Sequence, residues 1–169
     1  LNVPEEDPLA NMPEERGRTR PVVLLKLRTD DGIEGIGITF YGGKLTATLK
    51  KAVEELAQIT IGEDPLMIER IAAKFKAATG DPTGSQGIFT LACSAIDIAL
   101  WDIKGKSLNV PLWKLIGGYR NKVPTYASGS LRRGLTDEQA QEAASTLLSK
   151  GFKEMKTQMA LPGGSTPED

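Results

Sequence analysis

Histidine is absent from the 169-residue sequence, and cysteine occurs once, at Cys93. Without histidine the chain cannot build a Ser-His or Cys-His pair of nucleophile and base, and it lacks the commonest zinc ligand. One cysteine permits no intrachain disulfide, which fits a reducing compartment. Because the neighbours of Cys93 are apolar, we expect an inert thiol in a hydrophobic core.

An excess of one charge and a long apolar run are also missing. The 21 basic and 22 acidic residues leave a formal net charge of -1, so charge points to neither nucleic acid nor an anionic membrane surface as a partner. No apolar run approaches the roughly 20 residues that a membrane-spanning helix needs. We therefore expect a cytoplasmic protein that has no nucleic-acid or membrane partner.

The segment around which the chain is organised is Thr90 to Gly118. Its apolar residues and those directly before it recur at the spacing of one helical face, and other apolar residues cover much of the remaining circumference. The face contains Ile88, Leu91, Ala92, Ala95, Ile96, Ala99, Leu100 and Ile103, and the others are Phe89, Cys93, Ile98 and Trp101. The pattern predicts a helix that is buried on all sides between two bodies.

Two aspartates lie in this helix and are candidates for a site. Asp97 and Asp102 are about 140° apart around the helix axis, too divergent for one small site. We expect both to be structural, with Asp97 as a buried carboxylate paired with a cation or a backbone donor.

The residues before the helix predict a small antiparallel sheet. Residues 21–28 and 33–40 are rich in β-branched side chains and flank the sequence Asp-Asp-Gly, which is typical of a hairpin. Gly35 and Gly37 in the second strand indicate a bulge or a closely packed neighbour.

Helical spacing of apolar residues recurs between this hairpin and the central helix. It predicts helices over residues 45–59 and from about 65 to 78. Residues 1–118 are therefore predicted to form an α+β cap domain, in which three helices pack on an antiparallel sheet.

The pattern changes after Gly118. Short strands are predicted over residues 123–128 and 152–159, separated by a helix that Thr136 caps. A strand, a helix and a second strand in this order predict two parallel strands joined by a crossover. Two such strands do not form a sheet alone, so residues 119–169 are predicted to open a (β/α) barrel of the TIM type that is truncated here.

Two sequences within this chain also carry a family resemblance. Residues 94–106 read S-A-I-D-I-A-L-W-D-I-K-G-K, and residues 110–118 read V-P-L-W-K-L-I-G-G. Together they resemble the signature of the mandelate racemase and muconate lactonizing branch of the enolase superfamily. The resemblance implies a cap domain followed by a barrel, in agreement with the patterns above.

The resemblance also implies a reaction. In this family a small carboxylate substrate binds Mg²⁺, and loss of the proton on its α-carbon gives an enediolate, whose charge the metal stabilises. The family places the metal ligands on the third, fourth and fifth barrel strands, which we expect beyond residue 169. We expect a homo-oligomer acting on a hydroxy or sugar carboxylate, and a fragment that is inactive alone.

Several outcomes remain open from the enediolate. Dehydration is preferred, because an enediolate with a β-hydroxyl can expel it. Racemisation or epimerisation is the alternative, followed by cycloisomerisation. A truncated relative that serves as a non-catalytic assembly or binding module is the hypothesis from another class.

The candidate catalytic residues lie on the second barrel strand. The resemblance implies a Lys-x-Lys motif there, in which the second lysine is the base, but this sequence has Lys156 and Gln158. Gln158 is neutral and is not a base. A lysine with an ordinary pKa of about 10.4 needs a lowered pKa to act as one. Without a second lysine beside it, Lys156 is expected to be an electrostatic partner of the substrate carboxylate or of a metal-bound group, and the proton then goes to another residue. Loss of the activity is the remaining option.

Substrate-binding candidates come from two cap loops that correspond to family specificity loops. Arg16 and Arg18, in a polar segment without periodicity, have the geometry to bind a carboxylate through two hydrogen bonds. Tyr41, at the end of the hairpin, offers a hydroxyl group.

Overall fold

The computed structural model describes residues 2–4, 19–41, 43–79 and 86–158. Two short strands near the start, β1 (Asn2–Pro4) and β2 (Thr19–Pro21), pair as a two-stranded sheet. The chain divides into two compact units. The main part of the first unit is Pro21–Tyr119, and the second contains the segment that begins at Arg120.

The first unit opens with the predicted hairpin. Strand β3 (Val23–Arg28) pairs antiparallel with β4 (Glu34–Thr39) in a register that sets Leu25 opposite Gly37. The Thr29 N–H donates to the Ile33 carbonyl at 3.0 Å across the turn, and Gly32 adopts a φ of 88°. That left-handed conformation is one that glycine adopts without strain, which explains the Asp-Asp-Gly sequence.

Helix α3 (Ile88–Ser107) lies directly against β4. A Cβ atom placed on Gly37 would lie 1.8 Å from the Ala95 carbonyl oxygen, and one on Gly35 would lie 2.2 Å from that of Ala99. Both distances are far inside van der Waals contact. The prediction of a closely packed neighbour is confirmed, because only glycine lets the strand approach the helix backbone this closely.

Two further helices complete the packing of the first unit. Helices α1 (Thr46–Ala57) and α2 (Ile68–Thr79) both contact α3. One buried cluster comprises Val23, Leu49, Val53, Ala92 and Ala95, and a second comprises Ile68, Ile71, Phe75, Ile96 and Leu100. Since α3 contributes to both clusters, it is the core of an α+β domain, as predicted.

The ends of these two helices differ from the predicted ranges. Helix α1 ends at Ala57 and continues as a 3₁₀ turn over Gln58–Thr60. Before α2, the Met67 N–H donates to the Asp64 carbonyl and the Leu66 N–H to the Asp64 carboxylate, at 3.0 and 2.9 Å. These bonds form a turn, so α2 begins at Ile68 rather than near residue 65.

The prediction that α3 is buried on all sides is wrong. Asp97 and Ile98 are exposed, and the exposed fraction of Ile98 is 41%. The opposite side, with Ala92, Ala95, Ile96 and Ala99, is completely buried.

No helix in the described ranges is long and apolar enough to cross a membrane.

The prediction of a buried Asp97 is therefore also wrong, although its carboxyl is not fully hydrated. Partial desolvation by its neighbours and the negative charge of Glu69 raise the pKa of Asp97, and a hydrogen bond from Trp101 opposes them. Asp97 is an exposed group whose ionised form is disfavoured.

The side chains of Asp102 and Lys106 form hydrogen bonds with backbone groups on the edge of β4 that faces away from β3. The Ile36 N–H donates to the Asp102 carboxylate at 2.8 Å, and the Lys106 ammonium donates to the Glu34 carbonyl at 2.7 Å. The two side chains also form an ion pair at 2.7 Å. A strand edge with unpaired backbone groups is a template for association, and this pair of side chains occupies one N–H and one carbonyl of that edge.

After α3 the first unit ends with a short helix, α4 (Leu112–Leu115), at the Val-Pro-Leu-Trp sequence. The Gly118 N–H then donates to the Trp113 carbonyl at 2.8 Å and closes the turn.

The second unit contains the predicted strand, helix and strand. Strand β5 (Ala127–Leu131) is followed by α5 (Asp137–Ser149) and β6 (Met155–Thr157). The strands pair in parallel, as predicted. Thr136 caps the helix in a capping box with Gln139, which confirms the predicted helix start.

The predicted strand ranges in this unit are displaced. Strand β5 starts four residues later than the predicted residue 123, and β6 is shorter than residues 152–159. Pairing begins where the Ala127 N–H donates to the Glu154 carbonyl at 3.0 Å, while the Phe152 N–H is used to close the end of α5. On α5, Ala143 and Leu147 are buried, and Leu148 is 60% exposed.

Candidate active site

The two candidate catalytic residues lie at the carboxyl end of β6, with Lys156 in the strand and Gln158 directly after it. Lys156 and Gln158 are both exposed, and Met155, the first residue of β6, is half-buried. Since side chains alternate along a strand, Lys156 and Gln158 lie on the face opposite to Met155. The Gln158 N–H donates to the Leu131 carbonyl at 3.0 Å, which fixes the end of β6 against β5.

Strand β5 is irregular beside these residues. Ala127 pairs with Met155 and Leu131 pairs with Thr157, so four steps along β5 match two along β6. The irregularity contains Gly129, with a φ of 108°, and Ser130, whose hydroxyl is buried and has no partner among the described residues. Bulges of this kind redirect side chains and are frequent next to active sites.

A small cavity of about 170 Å³ opens at the carboxyl ends of the two strands. It is lined by Leu131, Arg132, Arg133, Gly134, Leu135, Ala140, Thr157 and Gln158. Arg132 is half-buried and Arg133 is exposed. Two guanidinium groups beside an amide and a hydroxyl are suited to an anionic oxygen ligand.

Sequence reasoning missed Arg132 and Arg133. They follow β5 directly, whereas the predicted strand ended at residue 128, three residues before the end of β5. The adjacent arginines were the available signal, and a correct strand end would have placed them at the site.

The remaining candidates lie elsewhere. Arg16 and Arg18 are outside the described residues, so their predicted role stays a prediction. Tyr41 belongs to the first unit, where 37% of its surface is exposed and its carbonyl accepts a hydrogen bond from the Thr46 hydroxyl at 3.1 Å. Its role in substrate binding also stays a prediction.

The described residues do not provide a metal centre. None of their His, Cys, Asp and Glu side chains form a group of three that could hold an ion. Cys93 is half-buried, and burial followed by the charge of Asp97 raises the pKa of its thiol. A raised pKa keeps the thiol protonated at neutral pH, in agreement with its predicted inert character.

Comparison with known proteins decides the family. Residues 3–117 match the family described as Mandelate racemase / muconate lactonizing enzyme, N-terminal domain. The chain belongs to this family. The mandelate racemase and muconate lactonizing resemblance of residues 94–118 is thereby confirmed, together with the α+β cap fold of its N-terminal domain.

Relatives in the family share sequence and fold with this chain. A D-galactonate dehydratase family member, RspA of Cellvibrio japonicus, is 36% identical over 85% of this chain and 35% of its own. A racemase from Streptomyces coelicolor, solved with bound magnesium, is 31% identical at a TM-score of 0.80, over 95% of this chain and 45% of its own.

The third comparison is a crystal structure of L-talarate/galactarate dehydratase from Salmonella typhimurium, liganded with Mg and L-lyxarohydroxamate. It is 27% identical at a TM-score of 0.79, over 96% of this chain and 42% of its own. This chain therefore spans less than half the length of each of these proteins.

Proposed function

We propose that this chain is the N-terminal part of a Mg²⁺-dependent enzyme that removes the α-proton of an acid sugar and then expels a β-hydroxyl group. In this proposal residues 1–118 are the cap domain, and residues 119–169 are the first strand, helix and strand of a truncated barrel. The share of the relatives' length that the chain covers, 35% for the Cellvibrio protein, supports the proposal.

The observation that carries the proposal is the position of Lys156. It lies exposed near the carboxyl end of β6, a strand that pairs in parallel with β5. Reacting groups of (β/α) barrels lie at the carboxyl ends of their strands. The family match of residues 3–117 then makes a carboxylate substrate the expected ligand of that ammonium group.

The proposed roles follow from the chemistry of the two side chains. The Lys156 ammonium stabilises negative charge on the substrate carboxylate as the α-carbon loses its proton. The Gln158 amide holds a substrate oxygen by a hydrogen bond, because it has donor and acceptor groups but no basic nitrogen. The proton acceptor is then a residue outside the described part of the chain.

Magnesium is the proposed cofactor, and it would stabilise the developing charge on the substrate. The described residues do not fit this ion, since they contain no cluster of three possible ligands. Carboxylates on later barrel strands are the proposed ligands, because oxygen ligands suit Mg²⁺. The racemase and the dehydratase solved with magnesium support this assignment.

Racemisation or epimerisation is the second candidate function. The likeness to the racemase from Streptomyces coelicolor favours it. This outcome needs a base on each face of the α-carbon, and the neutral Gln158 occupies the position where the family motif has a lysine. Dehydration is therefore preferred.

The test is a survey of acid sugars with a protein that carries this sequence followed by the rest of the barrel. We expect formation of a 2-keto-3-deoxy acid that stops when EDTA removes the metal and resumes when Mg²⁺ is restored. Product with an inverted α-carbon and no loss of water would instead establish the racemase. Absence of both products over the whole set would contradict the proposal.

A further inference from the structure

The cavity at the ends of β5 and β6 contains a positive charge that the proposed reaction does not use. Among the described residues that line it, Arg132 and Arg133 are charged and none is acidic. We propose that Arg133, with Arg132 beside it, binds a second carboxylate of the substrate. The enzyme would then act on acid sugars with a carboxylate at each end. This inference rests on the proposed function, since it adds a contact to the same substrate.

The strand register places the arginines within reach of a substrate on β6. Leu131 pairs with Thr157, so the residues that follow Leu131 lie beside Gln158. Lys156 is two residues earlier on the same strand, about 6–7 Å along its axis. Lys156 itself does not line the cavity, so a short diacid that meets Lys156 at one end reaches the arginines by passing Gln158, which does line it.

The chemistry of arginine favours a carboxylate as the second group. Its planar guanidinium matches both oxygens of a carboxylate in two parallel hydrogen bonds, and it stays charged at every relevant pH. Arg133 is exposed and can reach into the cavity, while Arg132 is half-buried and makes other interactions. The test is therefore built on Arg133.

The nearest acids in the sequence do not cancel this charge inside the cavity. Asp137 and Glu138 lie in the first turn of α5, and neither lines the cavity. The pKa of Glu138 is lowered by a hydrogen bond from its own backbone N–H and by the Thr136 side chain. Its carboxylate is thus held at the start of the helix.

Relatives of this chain carry names from both substrate classes. Galactonate has one carboxylate, whereas talarate and galactarate have two. The contacts at Arg133 therefore bear directly on which class is used.

The experiment compares Arg133→Gln with wild type in the protein that includes the rest of the barrel, with Mg²⁺ present. Loss of a charge-assisted hydrogen bond predicts that kcat/KM for galactarate falls about 10- to 100-fold. We expect kcat/KM for galactonate to change less than about twofold, because its far end has no carboxylate to lose a contact. Arg133→Lys keeps the positive charge but loses the planar guanidinium that makes two parallel hydrogen bonds. Its kcat/KM for galactarate should therefore lie between the values of wild type and Arg133→Gln.

A matched control removes the same charge at the other end of β6. Lys153 is exposed and lines a separate cavity with Pro124, Thr125 and Phe152. Lys153→Gln should leave both substrates unaffected. Calorimetric titration of galactarate with Mg²⁺ omitted measures affinity without turnover; Arg133→Gln should weaken binding by about tenfold or more, and Lys153→Gln should not weaken it.

The outcomes separate this inference from the proposed function. A wild-type enzyme that turns over acid sugars but responds to Arg133→Gln equally on both substrates, or on neither, overturns the second-carboxylate contact alone. A wild type that neither turns over nor binds any acid sugar overturns both. A selective loss on galactarate supports both.

Discussion

Removal of the Asp102 carboxylate should destabilise the first unit through the outer edge of β4. This group accepts from the Ile36 N–H at 2.8 Å and pairs with Lys106 at 2.7 Å. A hydrogen bond to a charged group contributes about 1.5–3 kcal/mol when well shielded. The side chains of Asp102 and Lys106 are 33% and 46% exposed, so solvent screening reduces the ion-pair part.

We therefore expect Asp102→Ala to lower the free energy of unfolding by about 2 kcal/mol. Asp102→Asn should lower it by about 1 kcal/mol, because the amide oxygen can still accept from Ile36 but carries no charge. Asp97→Asn on the same helix is the matched control. Since the charged form of Asp97 is disfavoured, this change should leave stability unchanged or slightly raise it at neutral pH.

The contributions of Asp102 and Asp97 to the free energy of unfolding should depend on pH in opposite directions. Burial alone would raise the pKa of Asp102, but the Lys106 and Ile36 hydrogen bonds outweigh it and lower the pKa below 3.8. Its stabilisation is present above about pH 4 and is lost as the pH falls through the folded-state pKa. For Asp97, whose pKa is raised, the favourable contribution is present at low pH and is lost as the pH rises through the folded-state value.

Tryptophan fluorescence during urea denaturation is the assay. Both tryptophans, Trp101 and Trp113, belong to the first unit, so the signal reports on that unit alone. Amide hydrogen exchange at Ile36 adds a local readout, and its protection should fall in Asp102→Ala. Equal unfolding free energies for wild type and Asp102→Ala, or an equal loss in Asp97→Asn, would refute this reasoning.

Two further substitutions test packing and capping. Gly37→Ala should lower the free energy of unfolding, measured by urea denaturation, by at least about 2 kcal/mol, because its Cβ would lie 1.8 Å from the Ala95 carbonyl oxygen. Ile38→Val on the exposed face should lower it by less than about half as much. Equal losses would argue against the close approach of strand and helix. Thr136→Ala removes the cap of α5 and should speed amide hydrogen exchange in the first turn of the helix by about fivefold, equivalent to about 1 kcal/mol. Substitution of the exposed Ser145 by alanine should leave that exchange rate unchanged. Unchanged exchange in Thr136→Ala would show that the cap is dispensable.

The sequence was sufficient to predict the elements of the first unit because its local signals agree. The Asp-Asp-Gly turn between two β-branched segments specifies the hairpin, and the apolar spacing specifies α3. It was insufficient to predict which side of α3 is exposed. Composition makes almost the whole circumference apolar, and only the packing of neighbouring elements leaves Ile98 at the surface.

The second unit was harder to predict at residue level. Strand β5 has the sequence Ala-Ser-Gly-Ser-Leu, which has weak β propensity, and the β-branched and aromatic residues precede it. Pairing with β6 decides where the strand begins, and that contact is not visible in a local pattern. The displaced end hid Arg132 and Arg133. Lys156 lies on β6 as predicted, whereas Gln158, predicted within the strand, directly follows its last residue.

Exchange of the substrate α-proton for deuterium tests the proposed chemistry most directly. The protein with the remaining barrel strands is incubated in D₂O with Mg²⁺ and an acid sugar, and NMR follows the α-proton signal. We predict that wild type and Lys153→Met exchange this proton and that Lys156→Met does not. Exchange at the wild-type rate in Lys156→Met, or no exchange by wild type with or without Mg²⁺, would contradict it.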